Sequence, residues 1–446
     1  MALASALVLL LGGCAPAVST SGGTRVPTAG TQHRIPQEVA RSDVDPETSG
    51  PLTLAQLLSF ALTHAPAVAV ARQRAKMGDA EVEGARTLNP YNPKVAVSAG
   101  GRTAGGVSRF EFGAEVQQQF EVGGERGTRI EAAERSREAR LAEVDVVRWR
   151  LQSEVRGLYY KLLVREKQLV VTGQIEDFTK SIGEIIDKRV NAGEESPLET
   201  IMARASVAKA RRLVIVANQA YRATSLRLAE VVGWPATMQL EVSGKLAQPD
   251  SIRDHGQLIQ IALNHHPGRR WLGLEVRAAQ ARIEREDRAA WPDPAVGFSY
   301  GREAEAGGAA HVWLGTIRVP LPVWERNQAA RSRARAALDL VRAEQTAFET
   351  TLRVRIAAAV ARVNAAAESV KVYDTDILPA FEGNLTKLQR AFELGEIDVL
   401  QLSLVQQRIL VTQQDALNAL NDYYDGLAAL EALLGTYPLS MGAEQL

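Results

Sequence analysis

The chain states its long-range pattern twice. Ala61-Leu62-Thr63-His64-Ala65-Pro66 returns as Ala262-Leu263-Asn264-His265-His266-Pro267, and Asn92-Pro93-Lys94-Val95 as Asp293-Pro294-Ala295-Val296, both 201 residues on. Glu125-Arg126 returns as Glu325-Arg326 after 200 residues, and Ala192-Gly193-Glu194 as Leu394-Gly395-Glu396 after 202. Four anchors in one order at nearly one spacing mark a tandem duplication, with repeats over 51–247 and 248–446. The period is far too long for a solenoid. Two linked copies of one unit restrict the fold to a pseudo-symmetric product.

Each repeat has one grammar. An amphipathic helical region, about 52–88 and 255–290, is broken by Pro66 and Pro267. Asn89-Pro90 and Trp291-Pro292 end it. A strand pair is expected next, over about 93–121 and 294–321. Arg109–Glu121 is its clearest member. Phe110, Phe112, Ala114, Val116 and Phe120 alternate there with charged or amide residues and glycine, with Gln118 the exception on the apolar side. The turns are Gly-rich, at 102–108 and 303–309. Long uninterrupted helices are then expected over roughly 126–190 and 326–392. Leu141, Val144, Leu151, Val155, Leu158, Leu162 and Leu169 form a seam at 3,4 spacing. Gly-containing tips, about 191–197 and 393–398, lead into return helices closed by Gly233-Trp234-Pro235 and Gly435-Thr436-Tyr437-Pro438. The fold class is therefore mainly α with a small β part.

Composition removes other classes. Lys+Arg and Asp+Glu are 52 each, and this zero net charge argues against a nucleic-acid partner. A single cysteine leaves no disulfide framework and no Cys-based zinc cluster. That cysteine, Cys14, follows the apolar run Leu3–Leu11 and Gly12-Gly13. The run is too short to span a bilayer, which needs about 20 residues. Residues 1–13 read as a signal peptide, although Met1-Ala2 supplies no basic flank. Leu11-Gly12-Gly13-Cys14 resembles a bacterial lipobox, which implies acylation of Cys14 and outer-membrane lipid as a partner. Residues 14–50, rich in Ser, Thr, Gly and Pro, read as a flexible linker. No later segment reads as a transmembrane helix, so any membrane entry falls to the strands. Four strands per chain cannot close a barrel in lipid, since the open edges would be unpaired. Strands shared among chains solve this: two chains give eight, three give twelve and room for a pore. A soluble β-ribbon capping a helical bundle is the other reading of the same strands.

The order helix–strand–strand–long helix–tip–helix, stated twice over about 51–436, resembles the TolC-like outer membrane efflux family. The lipobox and Phe120-Glu121-Val122-Gly123-Gly124-Glu125-Arg126 lean toward its lipoprotein and heavy-metal efflux branches. The resemblance implies a homotrimer with a shared twelve-stranded barrel and a helical tunnel across the periplasm. It implies docking to a periplasmic adaptor protein and an inner-membrane pump. It places adaptor contact at the tips, on Gly193, Glu194, Gly395 and Glu396. It also places a gate at the tunnel entrance. Asp398-Val399-Leu400-Gln401 follows Gly395 as the family's Asp-x-Leu-Asp segment does, with Gln401 departing from the second acid. Glu199 and Asp398 are the expected ring of charge, and helix-end acids serving the helix dipole are the plain alternative.

No phosphate loop, HExxH or GxSxG is present, so an enzyme and a bound cofactor are not expected. His64 and His265 read as helix-end residues, and His265-His266 point apart on a helix, so no metal site is expected. His311 reads as lying in the barrel lumen or the strand turn. The function expected is a passive exit duct that carries metal cations or drugs across the periplasm and outer membrane. A lipid-anchored coiled-coil spacer without a pore is the alternative.

Overall fold

The computed structural model describes residues 50–436, apart from 105–106, 195, 236–237, 253–254, 306–307, 378–383 and 395. Cys14, the signal and the linker up to residue 49 lie outside the described residues, as does Gly395.

The first repeat opens with α1 (Leu54–His64), started by a Thr53–Gln56 capping box. Ala65 is extended, with φ −60° and ψ 129°, because a residue before proline avoids the helical region. Helix α2 (Pro66–Ala85) starts on that proline. Within Leu54–Ala85 one 18-residue window reaches a mean hydropathy of 1.5, enough to pass as a membrane span by composition, which the sequence reading did not anticipate. The break at Ala65 divides it, and Leu57, Ala61 and Val68 are buried against protein. Strands β1 (Lys94–Ala104) and β2 (Val107–Gln119) follow, then α3 (Glu125–Ala192) and α4 (Pro197–Val232). At ~1.5 Å per residue, the 68 residues of α3 reach about 100 Å.

The second repeat gives α5 (His255–His265), α6 (Pro267–Arg288), β3 (Ala295–Glu305) and β4 (Gly308–Arg318). Helix α7 (Gln328–Val372) then stops short of its counterpart and passes into a π turn, Tyr373–Ile377. This corrects the expected continuous helix over 326–392. The sequence places Pro379 in that stretch, and a proline supplies no backbone donor to continue a helix. No proline occurs anywhere in α3. Helix α8 (Asn384–Glu393) and the return helix α9 (Val399–Leu434) complete the repeat.

Two apolar cores sit at matching places. Leu57, Ala61, Val155, Leu162, Leu228 and Val232 centre the first, and Leu258, Ala262, Ile356, Val363, Leu430 and Leu434 centre the second. Each pair is separated by 201 or 202 residues. Of the expected seam on α3, Val144, Leu151, Val155 and Leu162 are buried, whereas Leu141 is exposed. Each return helix ends against the break of its own repeat. Gly233 has φ +77°, and a Cβ there would lie 2.7 Å from the His64 carbonyl oxygen. Gly435 has φ +72°, and a Cβ there would collide with the His266 backbone. Only glycine meets both demands, positive φ and close backbone approach. The repeats meet where Tyr160 stacks on Tyr424 at 5.0 Å between ring centres. There too the Trp149 indole donates to the Ala432 carbonyl at 2.8 Å.

The strands form one antiparallel sheet in the order β1-β2-β3-β4, with the middle pair drawn from different repeats. In that register Val97, Ala114, Tyr300 and Trp313 lie in one cross-strand row, and Val95, Val116, Phe298 and Gly315 in the next. The opposite face carries Lys94, Arg102, Glu111, Glu115 and Arg318. Strand β4 departs from the rule, with Val312 and Leu314 on this charged face. Within the described chain β1 and β4 are edges, each hydrogen-bonded to one neighbour.

Candidate functional site

Two places can act on a partner or a permeating solute: the helix tips and the sheet with its junction to the helices. At the first tip, α3 ends in a left-handed glycine, Gly193, at φ +80°. The Glu194 amide donates to the Arg189 carbonyl at 3.0 Å, closing the helix in a Schellman turn. Ser196 starts α4 by accepting from the Leu198 amide at 3.3 Å. Glu199 stands in the first turn of α4, half-buried. At the second tip the Glu396 amide donates to the Ala391 carbonyl at 2.9 Å, the same closure.

Asp398 is the N-cap of α9. Its carboxylate accepts from the Gln401 amide at 2.6 Å, and the Asp398 amide donates to the Gln401 side chain at 3.3 Å. The departure from the second acid thus forms a capping box: an amide at that position caps the helix start without adding charge. Asp398 and Gln401 are brought together, and Glu199 stands on the other hairpin. A small core of Ile182, Ile186, Ala203, Phe392 and Leu402 ties the two hairpins at this end. The Arg189 guanidinium lies 4.9 Å from the Phe392 ring centre. Sequence reasoning missed Leu198, Ile201 and Leu394, large apolar residues exposed at the tips. Their signal was available as apolar residues beside a Gly turn, where no core pattern calls for them.

At the other end the sheet joins the helices through polar clasps, one of them between repeats. The Tyr91 hydroxyl donates to Asp293 at 2.6 Å, and that bond, helped by burial, pushes the phenol up to about 12. The Gln118 amide donates to the Tyr91 carbonyl at 2.9 Å, which explains the polar residue that interrupts the apolar side of β2 near its end. Arg129 meets Glu121 at 2.8 Å, both largely buried. Burial, opposed by Arg129, raises the Glu121 carboxyl.

The charged face of the sheet is internally paired. Arg102 meets Glu111 at 2.9 Å, and Arg318 on β4 reaches across Gly297 of β3 to Glu115 on β2 at 3.6 Å. Such paired charges suit water rather than lipid. His311 lies on the apolar face, its ring 2.7 Å from the Tyr300 hydroxyl, rather than on the charged face. His266 accepts from the Gly268 amide at 2.9 Å as a helix cap, and burial lowers its pKa. Among the described residues no three His, Cys, Asp or Glu side chains gather into a metal-holding group.

A duplicated helical hairpin on a sheet with one oily face, one charged face and two open edges defines the class: a subunit of an outer-membrane duct with a helical tunnel. Over residues 57–234 and 258–436 the chain matches the model of one family, and it belongs to that family, the outer membrane efflux proteins. It is accordingly a channel component for tripartite efflux and not an enzyme. It is 24% identical to the cobalt-zinc-cadmium resistance protein CzcC of Cupriavidus metallidurans, over 87% of this chain and 91% of that one. It is 26% identical to the nickel-cobalt-cadmium resistance protein NccC of Alcaligenes xylosoxydans xylosoxydans, over 70% and 69%. The fold resembles the solved structure of CusC, at TM-score 0.69 and 16% identity, over 86% of this chain and 92% of that one. It also resembles the open-state Neisseria gonorrhoeae MtrE outer membrane channel, at TM-score 0.65 and 16% identity, over 86% and 89%.

Proposed function

We propose that three copies close their sheets into one twelve-stranded barrel, with the paired helices continuing as a tunnel through the periplasm. One observation carries this reading. The sheet ends in open edges on β1 and β4 while one face is apolar and exposed and the other is charged. An open edge in lipid leaves unpaired backbone groups at several kcal/mol each. Joining β4 of one copy to β1 of the next satisfies them, and three copies leave a pore rather than a filled barrel.

Acylated Cys14 anchors the chain to outer-membrane lipid, and 14–50 tethers it. The tips dock the periplasmic adaptor and inner-membrane pump through Gly193, Glu194, Gly395 and Glu396, with exposed Leu198, Ile201 and Leu394 supplying apolar contact. Glu199 and Asp398, repeated around the axis, give the entrance a negative field that favours cations. The names of the 24–26% identical relatives support divalent metal cations as cargo. The lumen then needs only to be wet and wide, and the pump sets specificity and supplies energy.

Recording from purified protein in planar bilayers tests the pore. Conductance from a species of three chains is expected, and an assembled protein without conductance would return the reading to the spacer. The charged entrance has its own test. Asp398→Asn keeps an N-cap oxygen while removing the charge. Combined with Glu199→Gln it is expected to lower the cation-to-anion permeability ratio without loss of oligomer.

A further inference from the structure

The charged residues of the strands share one face with a single exception, Arg302. In the pairing register Arg302 stands on the apolar face, in one row with Ala99, Phe112 and His311. It is the direct cross-strand partner of His311, and both are exposed. Side chains so paired start about 5 Å apart at Cβ. On the charged face Arg102 and Arg318 have Glu111 and Glu115 beside them. Among the described residues no acid lies on the apolar face, so nothing there balances Arg302.

The His311 ring is held in place. Its Nδ1 lies 2.7 Å from the Tyr300 hydroxyl, and the two rings stack at 5.9 Å between centres. Tyr300 lies against Trp313 at 4.5 Å, and Trp313 against Phe298 at 5.7 Å. With the Tyr300 hydroxyl donating to Nδ1, the other ring nitrogen, Nε2, carries a hydrogen and is left as a donor. The matching positions of the first repeat, 201 residues earlier, are Gly101 and Phe110, which are themselves cross-strand partners. The same hairpin thus forms without a cation at this place, and the second repeat alone carries one.

The row lies three residues from the end of β3, on the side of the strand turns and away from the helices. At ~3.3 Å per residue that is about 10 Å. In the barrel proposed above the helices enter the periplasm, so this end of the apolar face meets the outer leaflet. A cation on a lipid-facing strand is costly at the bilayer midplane and tolerated near the headgroups. Tyr300 and Trp313 mark that level, since amphipathic rings settle at the membrane–water boundary.

We propose that Arg302 and His311 bind a phosphate of an outer-leaflet glycolipid, the lipid A headgroup, on the outside of the barrel. The proposal rests on the three-copy reading, which turns the apolar face toward lipid. The guanidinium offers parallel N–H donors to two phosphate oxygens, and the His311 Nε2–H supplies another. A phosphate monoester carries more negative charge than the diester of a phospholipid and is the better match to this pair. Phe298, Tyr300 and Trp313 lie below the cations as a surface for the acyl chains. Joining β4 to β1 of the next copy sets small outward residues, Ala99, Gly101 and Thr103, at the same end of the neighbouring strand, which leaves room for a sugar headgroup beside His311.

The test uses the full-length protein, purified in detergent and freed of lipid, and native mass spectrometry. The probes are diphosphoryl lipid A, its phosphate-free form and phosphatidylglycerol. Up to three lipid A molecules per three-chain oligomer are expected, with weaker retention of the other two lipids. Arg302→Gln together with His311→Gln should weaken lipid A binding about tenfold, the scale of a lost charge-assisted hydrogen bond, with oligomer and conductance kept. Arg102→Gln, on the charged face, should leave lipid A binding unchanged. Binding that survives the double change, that falls equally with Arg102→Gln, or that either other lipid matches would overturn the site, while a conducting three-chain oligomer leaves the three-copy reading standing. A wild-type protein that stays monomeric would overturn that reading and the site with it.

Discussion

The first hairpin runs as one unbroken helix from the sheet to its tip, whereas the second is interrupted by a π turn at Tyr373–Ile377. The two descend from one unit, and the difference traces to few residues. Pro379 removes a backbone donor, and Gly383 carries a further helix penalty of about 1 kcal/mol. A second asymmetry lies in the cores. The second places a carboxyl, Glu431, where the first has Ala229. Duplication thus preserves the packing positions and leaves individual helices free to diverge in continuity and charge.

Matched truncations test how equal the cores are. Leu162→Ala is expected to cost ~2–5 kcal/mol, because Leu162 is fully buried. Val363→Ala, at the matching place, removes one methylene fewer and should cost less by about 0.8 kcal/mol. Thermal unfolding of the detergent-solubilised protein measures both. A Val363→Ala loss well above that of Leu162→Ala would show the second core to be the less able to relax.

Glu431 gives the next largest effect and one that depends on pH. Burial pushes its carboxyl up to about 7, against the pull of Arg156. The folded state therefore holds the proton more tightly than the unfolded chain. Stability from this group is full below about 4.5 and is lost as pH rises to about 7. Glu431→Gln should melt above the parent at pH 8, and the gap should close toward pH 4. A gap independent of pH would show that the carboxyl titrates normally.

The smallest effect is at the tips. Asp398→Ala should cost about 1 kcal/mol, and Ser196→Ala should cost less, since its capping bond is 3.3 Å against 2.6 Å. Amide hydrogen exchange at the first turns of α4 and α9 reads this difference. Equal changes at both would mean that the cap geometry does not set tip stability.

Much of the architecture was legible because it is periodic. Phe110, Phe112 and Val116 mark a strand by alternation, and Pro66 and Pro267 mark helix breaks by covalent geometry. The candidate site was legible only in part. Gly193 announces a left-handed cap, but the exposure of Leu198 and Ile201 depends on which residues the neighbouring hairpin covers. Leu141 fits the helical seam in spacing yet lies exposed, since spacing gives a helix face and not the partner that covers it. Gln118 breaks the strand pattern, and its reason, the Tyr91 carbonyl, comes from a loop 27 residues away.

By itself the sequence determined the duplication, the element types, the apolar and charged faces of the strands, and the family. These follow from local chemistry repeated along the chain. Tertiary structure alone decided that β2 pairs with β3 across the repeats, and that the Gln401 side chain closes a capping box with Asp398. It also set Arg302 and His311 side by side on the apolar face. Such outcomes depend on three-dimensional proximity between separate segments, which local chemistry along the chain does not record.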